Sequence, residues 1–297
     1  MRSLLFVTAL IAVSSHPIDA SILYGGLGGH AIASGPDASA NDGALAIVDQ
    51  TTGSVTIVGH PVGVSRITGL TFNNDTGELF GSTIGPVPFP PPPPPGFSDL
   101  IRLNPANGAL LSDVAITAGG TNISIADVSM QPGTNILFGV SSPVGGTAPP
   151  GQLYTINVAT GVATPVGAPQ GFFDSIAFAP NGTLYESLAD LGAMGGEANP
   201  RLQILNPSTG VPIGTAVSTD FFFGALGIRP EDGAIFVGTG DQSGVYILNP
   251  TTGAATLIGN TGPNFVGDFA FTPVPEPASI VLIAGGLLAL LTRRRSS

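Results

Sequence analysis

Three aspartates carry the chemistry that is easiest to imagine here: Asp127, Asp174 and Asp268. Asp127 and Asp268 begin the matching runs Asp127-Val128-Ser129-Met130 and Asp268-Phe269-Ala270-Phe271. Asp174 stands one place before the equivalent run Ser175-Ile176-Ala177-Phe178. Apolar and small residues alternate in these runs, which is the period of a β-strand. If such strands lie side by side in register, their carboxylates converge at one level. Clustered oxygens of that kind could hold Ca²⁺ or work as an acid–base pair. The plainer reading is that they cap strand ends or face solvent, since no lysine or nearby histidine is available to partner them.

Other chemistries find little support. The chain has no cysteine, which removes disulfides, thiolate metal sites and cysteine nucleophiles. It has no lysine. Downstream of residue 20 the only histidines are His30 and His60, and neither lies in a G-x-S-x-G context that could build a hydrolase triad. Asp75-Thr76-Gly77 matches the aspartic-protease tripeptide, but that chemistry needs two carboxylates sharing a proton and the tripeptide occurs once. It reads as a β-turn. Gly26-x-Gly28-x-x-Ala31 is a degenerate dinucleotide fingerprint without a following helix. Asn74, Asn122 and Asn181 open glycosylation-type triplets that serve equally well as turn chemistry.

The charge balance narrows the partners. The formal net charge is −11, and between Ser21 and Pro273 the basic residues are Arg66, Arg102, Arg201 and Arg229. A surface so poor in cations repels phosphate backbones and anionic membranes, so nucleic acid is excluded as a partner.

The elements that must position the aspartates come from an internal repeat. One hairpin recurs at Ala46–Gly53, Leu103–Gly108, Ile156–Gly161, Leu205–Gly210 and Leu248–Gly253. Its commonest turn, Asn-Pro-x-Thr-Gly, suits a reversal because Asn bonds its own backbone, Pro presets φ and Gly accepts positive φ. A second hairpin alternates with it, with first strands at Gly69–Phe72, Asp127–Met130, Ser175–Phe178, Ala225–Ile228 and Asp268–Phe271. Two hairpins make a four-stranded sheet, and the copies lie about fifty residues apart, the period of a propeller blade. The predicted fold is therefore all-β: a β-propeller of five four-stranded blades whose first strands line a central channel. The last copy lacks a return strand, and Ile22-Leu23-Tyr24-Gly25 at the other end of the chain is the predicted partner. In outline the pattern resembles WD-repeat-like and other bacterial secreted propellers, although no Trp-Asp dipeptide is present. Two insertions interrupt it. Pro90–Pro95 predicts an extended polyproline II arm, read as a stiff surface connection. Asp190–Pro200, rich in Gly and Ala, predicts a mobile loop.

Both ends of the chain point to export. Arg2, the apolar run Leu4–Val13 and a small residue at Ala20 predict a signal peptide over 1–20, with cleavage before Ser21. Ile18 is large for its place in such a site. The propeller then occupies 21–273. At 274–297, Pro275-Glu276-Pro277 is followed by the charge-free run Ala278–Thr292 and by Arg293-Arg294-Arg295. A helix over that run would be about 22 Å long at 1.5 Å per residue, a short span for a hydrocarbon core of ~30 Å. The arginines would stay cytoplasmic, leaving the remainder outside. This layout resembles the PEP-CTERM protein-sorting tail of Gram-negative bacteria. The resemblance implies transient insertion in the inner membrane, processing near Pro275-Glu276-Pro277 by an exosortase, and release to an extracellular or outer-surface location.

Two functions remain open on the sequence alone. One is a binding or structural propeller of the extracellular or biofilm matrix, with exopolysaccharide as a candidate partner. The other is a secreted propeller enzyme, a metal-dependent lactonase or a glycan lyase, using the channel carboxylates. Propellers host both kinds of function.

Overall fold

The repeated turns set the fold locally. At Asn104 the side-chain oxygen accepts the Ala106 N–H at 2.9 Å, and the Gly108 N–H closes onto the Asn104 carbonyl at 2.8 Å. Gly108 sits at φ 69°, where only glycine is at ease. Asp49, Asn157, Asn206 and Asn249 build the same turn. Each reverses the chain between the third and fourth strands of one sheet.

The computed structural model describes residues 20–28, 40–83, 97–141, 151–191, 197–239 and 243–274. Outside them lie most of the predicted signal peptide, His30, the proline run Pro90–Pro95 and the sorting tail from Pro275, with its predicted helix. No helix among the described residues is long and apolar enough to cross a membrane.

The strands follow the predicted order. β1 (Leu23–Leu27), β2 (Leu45–Val48) and β3 (Val55–Gly59) belong to blade 1. Blade 2 is β4 (Gly69–Phe72), β5 (Leu79–Ser82), β6 (Asp99–Leu103) and β7 (Leu110–Ala115). A small ribbon, β8 (Thr117–Ala118) and β9 (Thr121–Asn122), leads to blade 3, formed by β10 (Ile125–Met130), β11 (Leu137–Ser141), β12 (Leu153–Ile156) and β13 (Ala163–Val166). Blade 4 is β14 (Phe172–Phe178), β15 (Leu184–Leu191), β16 (Glu197–Leu205) and β17 (Pro212–Ser218). Blade 5 is β18 (Ala225–Ile228), β19 (Ile235–Gly238), β20 (Gly244–Leu248) and β21 (Ala255–Asn260). The final strand, β22 (Val266–Phe271), returns to blade 1 and pairs antiparallel with β1, Leu23 opposite Phe271 and Gly25 opposite Phe269. The ring is closed as predicted, with a blade shared by the two ends of the chain.

The core is not central. It is divided into five apolar wedges, one between each pair of neighbouring blades. Residues facing one neighbour alternate along each strand with residues facing the other, which the period of two requires. Edge-to-face aromatic pairs stitch three of the wedges: Tyr24–Phe72, Phe138–Phe178 and Phe236–Phe271, with ring centroids 5.5, 5.2 and 5.2 Å apart.

The predicted mobile loop over Asp190–Pro200 is narrowed at its ends: Asp190 pairs with Ala198 and Leu191 with Glu197, so β15 and β16 extend the hairpin beyond the other blades. Residues 192–196, which carry most of its Gly and Ala, lie outside the described residues. Asn199 takes φ 52° within this extension, a conformation Asn tolerates better than most residues.

Candidate functional site

The inner strands β4, β10, β14, β18 and β22 surround the axis. In register, their first column is Gly69, Asp127, Ser175, Ala225 and Asp268, and two residues on the column is Thr71, Ser129, Ala177, Gly227 and Ala270. These positions are small or polar. The intervening positions, such as Leu70, Val128, Ile176, Leu226 and Phe269, are large and apolar and enter the wedges between blades.

An inner strand has no neighbour on its axial side, so its N–H groups there need other acceptors. The aspartates supply them. Asp268 Oδ2 accepts the Leu70 N–H of blade 2 at 2.7 Å, and Oδ1 accepts the Leu226 N–H of blade 5 at 3.1 Å. Asp127 Oδ2 accepts the Ile176 N–H at 2.7 Å and the Ser175 hydroxyl at 2.9 Å, both from blade 4, while Oδ1 accepts the Val128 N–H at 2.6 Å. The two carboxyls also lie within hydrogen-bonding reach of each other. Asp268 belongs to blade 1 and Asp127 to blade 3. One carboxyl pair thus ties all five blades together at the axis.

Two hydroxyls repeat the motif one level along. Thr71 Oγ1 accepts the Met130 N–H and Ser129 Oγ accepts the Phe178 N–H, each at 2.9 Å. Gly69 makes room for the carboxyl pair: a Cβ there would fall 2.7 Å from Asp127 Oδ1.

Both aspartates are inaccessible, at 0% and 1% exposure. Burial pushes the Asp127 carboxyl up to about 7, against the lowering pull of its hydrogen-bond donors. Asp268 is raised as well, by burial first and then by the adjacent Asp127. Two carboxyls in contact inside a protein cannot both ionise cheaply, so the pair keeps a shared proton. Asp174 does not join them. It occupies a bulge between Phe173 and Ser175, and its Oδ2 lies against Gly224 of the neighbouring blade. Among the described residues no group of three or more His, Cys, Asp or Glu is placed to hold a metal ion. A cation at the pair would have to displace the backbone donors that already occupy its oxygens.

Beyond the hydroxyl level the channel opens into a cavity of about 60 Å³, lined by Thr71, Ser129, Ala177, Gly227 and Ala270 and bordered by turn residues such as Pro132. That volume has room for a few waters. His60 is exposed after β3, and Asp75-Thr76-Gly77 forms a turn closed by the Asn73 side chain.

Sequence reasoning missed Ser175 and Glu186. Ser175 was visible as the member of the aspartate column that donates. Glu186 on β15 lies opposite Ile176, where the other blades carry Gly25, Gly81, Gly139 and Val237. It is fully buried, neither carboxyl oxygen has a hydrogen-bond partner, and burial raises its carboxyl to about 8.

The architecture defines the class: a five-bladed β-propeller. Residues 273–295 match the PEP-CTERM protein-sorting motif, a signal recognised by an exosortase on exported chains. No curated protein matches the sequence. Among solved structures the chain is similar to one in a nidogen/laminin complex, with TM-score 0.51 and 9% identity over 85% of this chain and 98% of that one. A protein of unknown function from Bacteroides caccae aligns at TM-score 0.49 and 12% identity, over 86% and 100% of the two chains. Kuenenia stuttgartiensis hydrazine synthase aligns at TM-score 0.39 and 12% identity over 67% of this chain, which spans 49% of that one, about half its length. The nidogen/laminin likeness speaks for the fold alone.

Proposed function

We propose that this protein is an exported, non-catalytic propeller of the extracellular or biofilm matrix, which binds or scaffolds through its outer surface. The observation that carries the reading is the sorting motif at 273–295, joined directly to the closing strand of a complete propeller. An exosortase is the processing partner, and exopolysaccharide is the matrix component proposed for its surface. The lactonase or lyase alternative relied on Asp127, Asp174 and Asp268. Two of these have their oxygens occupied by backbone donors and closed to solutes, and the third stands apart. Catalysis needs a group that can reach its substrate. The proposed role of the channel carboxyls is to brace the ring, with a proton where a bound Ca²⁺ would otherwise supply the neutralising charge.

Replacing Pro275, Glu276 and Pro277 by alanine should leave the propeller folded and block tail removal, read by the mass of the exported protein. Normal processing of that variant would sink the sorting assignment. Addition of a chelator should leave the melting temperature unchanged. A drop would restore the metal reading by linkage.

A further inference from the structure

The seam between blade 5 and blade 1 holds a feature that the sorting motif does not explain. Ser21 is 3% exposed, whereas Ala20 immediately before it is exposed. The Ser21 backbone N–H donates to Glu231 Oε1, and the Ser21 hydroxyl donates to Glu231 Oε2 at 2.8 Å. The Ser21 carbonyl accepts from Gln50 Nε2 at 2.6 Å, and Gln50 Oε1 accepts from Arg229 Nη1 at 3.0 Å. One residue on, the Ile22 N–H donates to Thr272 Oγ1 at 2.8 Å and the Ile22 carbonyl accepts the Thr272 N–H at 3.0 Å. Glu231 stands in the turn between β18 and β19, so it reaches across from blade 5 to the start of blade 1. The nearby Arg229 is engaged by Asp232, at 2.6 and 2.9 Å. Among the described residues Glu231 forms no ion pair. A carboxylate therefore grips both donors of one residue, a neutral amide and a hydroxyl; the Arg229 guanidinium acts on it through its charge but is held in contact by Asp232.

We propose that the Ala20–Ser21 bond is the site of leader removal and that Glu231 is the receptor for the α-ammonium this cleavage creates. The proposal rests on the export reading above. Hydrolysis breaks the Ala20 C–N bond; water gives its hydroxyl to the departing Ala20 carboxyl and a proton to the Ser21 nitrogen. The amine takes a further proton below its pKa of about 7.7–8.0. The hydrogen already present on Ser21 N points at Glu231. The nitrogen becomes tetrahedral, so one N–H can stay on Glu231 while the other two turn toward the exposed side once occupied by Ala20, where water receives them. Cleavage thus converts an amide–carboxylate hydrogen bond into an ion pair without moving the backbone. It locks blade 5 to blade 1 beside the strand pair β1–β22 that closes the ring.

Absence of lysine makes the test clean, because the α-amine is the only primary amine in a mature chain beginning at Ser21. N-terminal sequencing of the exported protein should begin at Ser21. NMR titration of its amino group should give a pKa above about 8.0, returning to about 7.7–8.0 in Glu231→Gln. Acetylating the α-amine and Glu231→Gln should each lower the melting temperature at pH 7, and together lower it no further than one alone. An exported chain beginning at another residue overturns the proposal and leaves export standing. Retention of Met1 in a cell-bound chain overturns both. A start at Ser21 with an ordinary amino pKa, or with additive losses, overturns the Glu231 receptor alone.

Discussion

Asp127 and Glu186 are both fully buried acids, and they meet burial in opposite ways. Asp127 is surrounded by donors; Glu186 has none. Each has its folded pKa raised, to about 7 and about 8, above unfolded values of about 3.9 and 4.3. A raised folded pKa means that the folded state holds the proton longer. The stabilising contribution is complete below the unfolded pKa and is lost as pH rises through the folded one. The melting temperature should therefore decline from about pH 4 to about pH 8, each group contributing up to about 1.4 kcal/mol per pH unit in its own window. Asp127→Asn should remove its share of the decline between about pH 4 and pH 7. Glu186→Val, which places there the residue that blade 5 carries, should remove its share between about pH 4 and pH 8 and raise stability at pH 7 by about 1–3 kcal/mol. A melting curve independent of pH in the wild type would show that neither acid holds its proton. The aspartates could be read from the sequence because two of them share a place in a visible repeat. Glu186 could not, because its significance lies in the small residues opposite Leu70, Val128 and Phe269, and those pairings depend on strand register. Asp174 already stood one place off the column in the sequence, but the bulge that sets its carboxyl against Gly224 left no mark there.

The Asn-led turns show how an element can carry two constraints at once. Gly53, Gly108, Gly161, Gly210 and Gly253 all have φ near 70°, which the sequence already demanded of the turn. The second constraint appears only in the assembled ring. Each of these glycines presses on the outer strand of the preceding blade or the residues that follow it, and an added Cβ would come within 1.7 to 2.8 Å of its backbone. Gly77, in the Asn73 turn, has φ 73° but nothing near it. The two sites separate the effects. Gly77→Ala should cost only the left-handed penalty of about 1–2 kcal/mol. Gly253→Ala adds a clash with the Ser218 carbonyl and should cost markedly more, enough to remove much of a typical domain stability of about 5–15 kcal/mol. Equal losses in chemical denaturation would mean the rim contact yields freely. Turn chemistry is local and so was legible; blade-to-blade spacing is not local and was hidden. The strand ends at Asp190, Leu191, Glu197 and Ala198 were hidden for the same reason, since their pairing partners decide their state.

At the scale of the whole molecule, the ring depends on β22. It brings Phe269 and Phe271 into the wedge between blades 5 and 1, each worth roughly 1.5–3 kcal/mol of burial. It also brings Asp268, which bonds blades 2 and 5. A chain ending at Pro263 should lose cooperative melting, while one ending at Pro273 should melt like the longer protein. A cooperative transition in the shorter chain would show that four blades and three strands suffice. Closure by the two ends was legible because the last repeat lacked a partner. The order of emergence now acquires meaning. β22 ends at Phe271 and the matched sorting motif begins at residue 273, so almost nothing separates the last structural strand from the address. A chain threaded outward from its N-terminus delivers β1 first and β22 last. Until that moment blade 1 has an open edge and Leu70 and Leu226 lack their axial acceptor. A chain stalled or clipped before β22 is both unclosed and unaddressed, while one that has delivered its tail already carries the strand that seals it. Chain order thereby sets a sequence of events: the address follows the closing strand, so a chain that presents the motif already holds every strand of the ring.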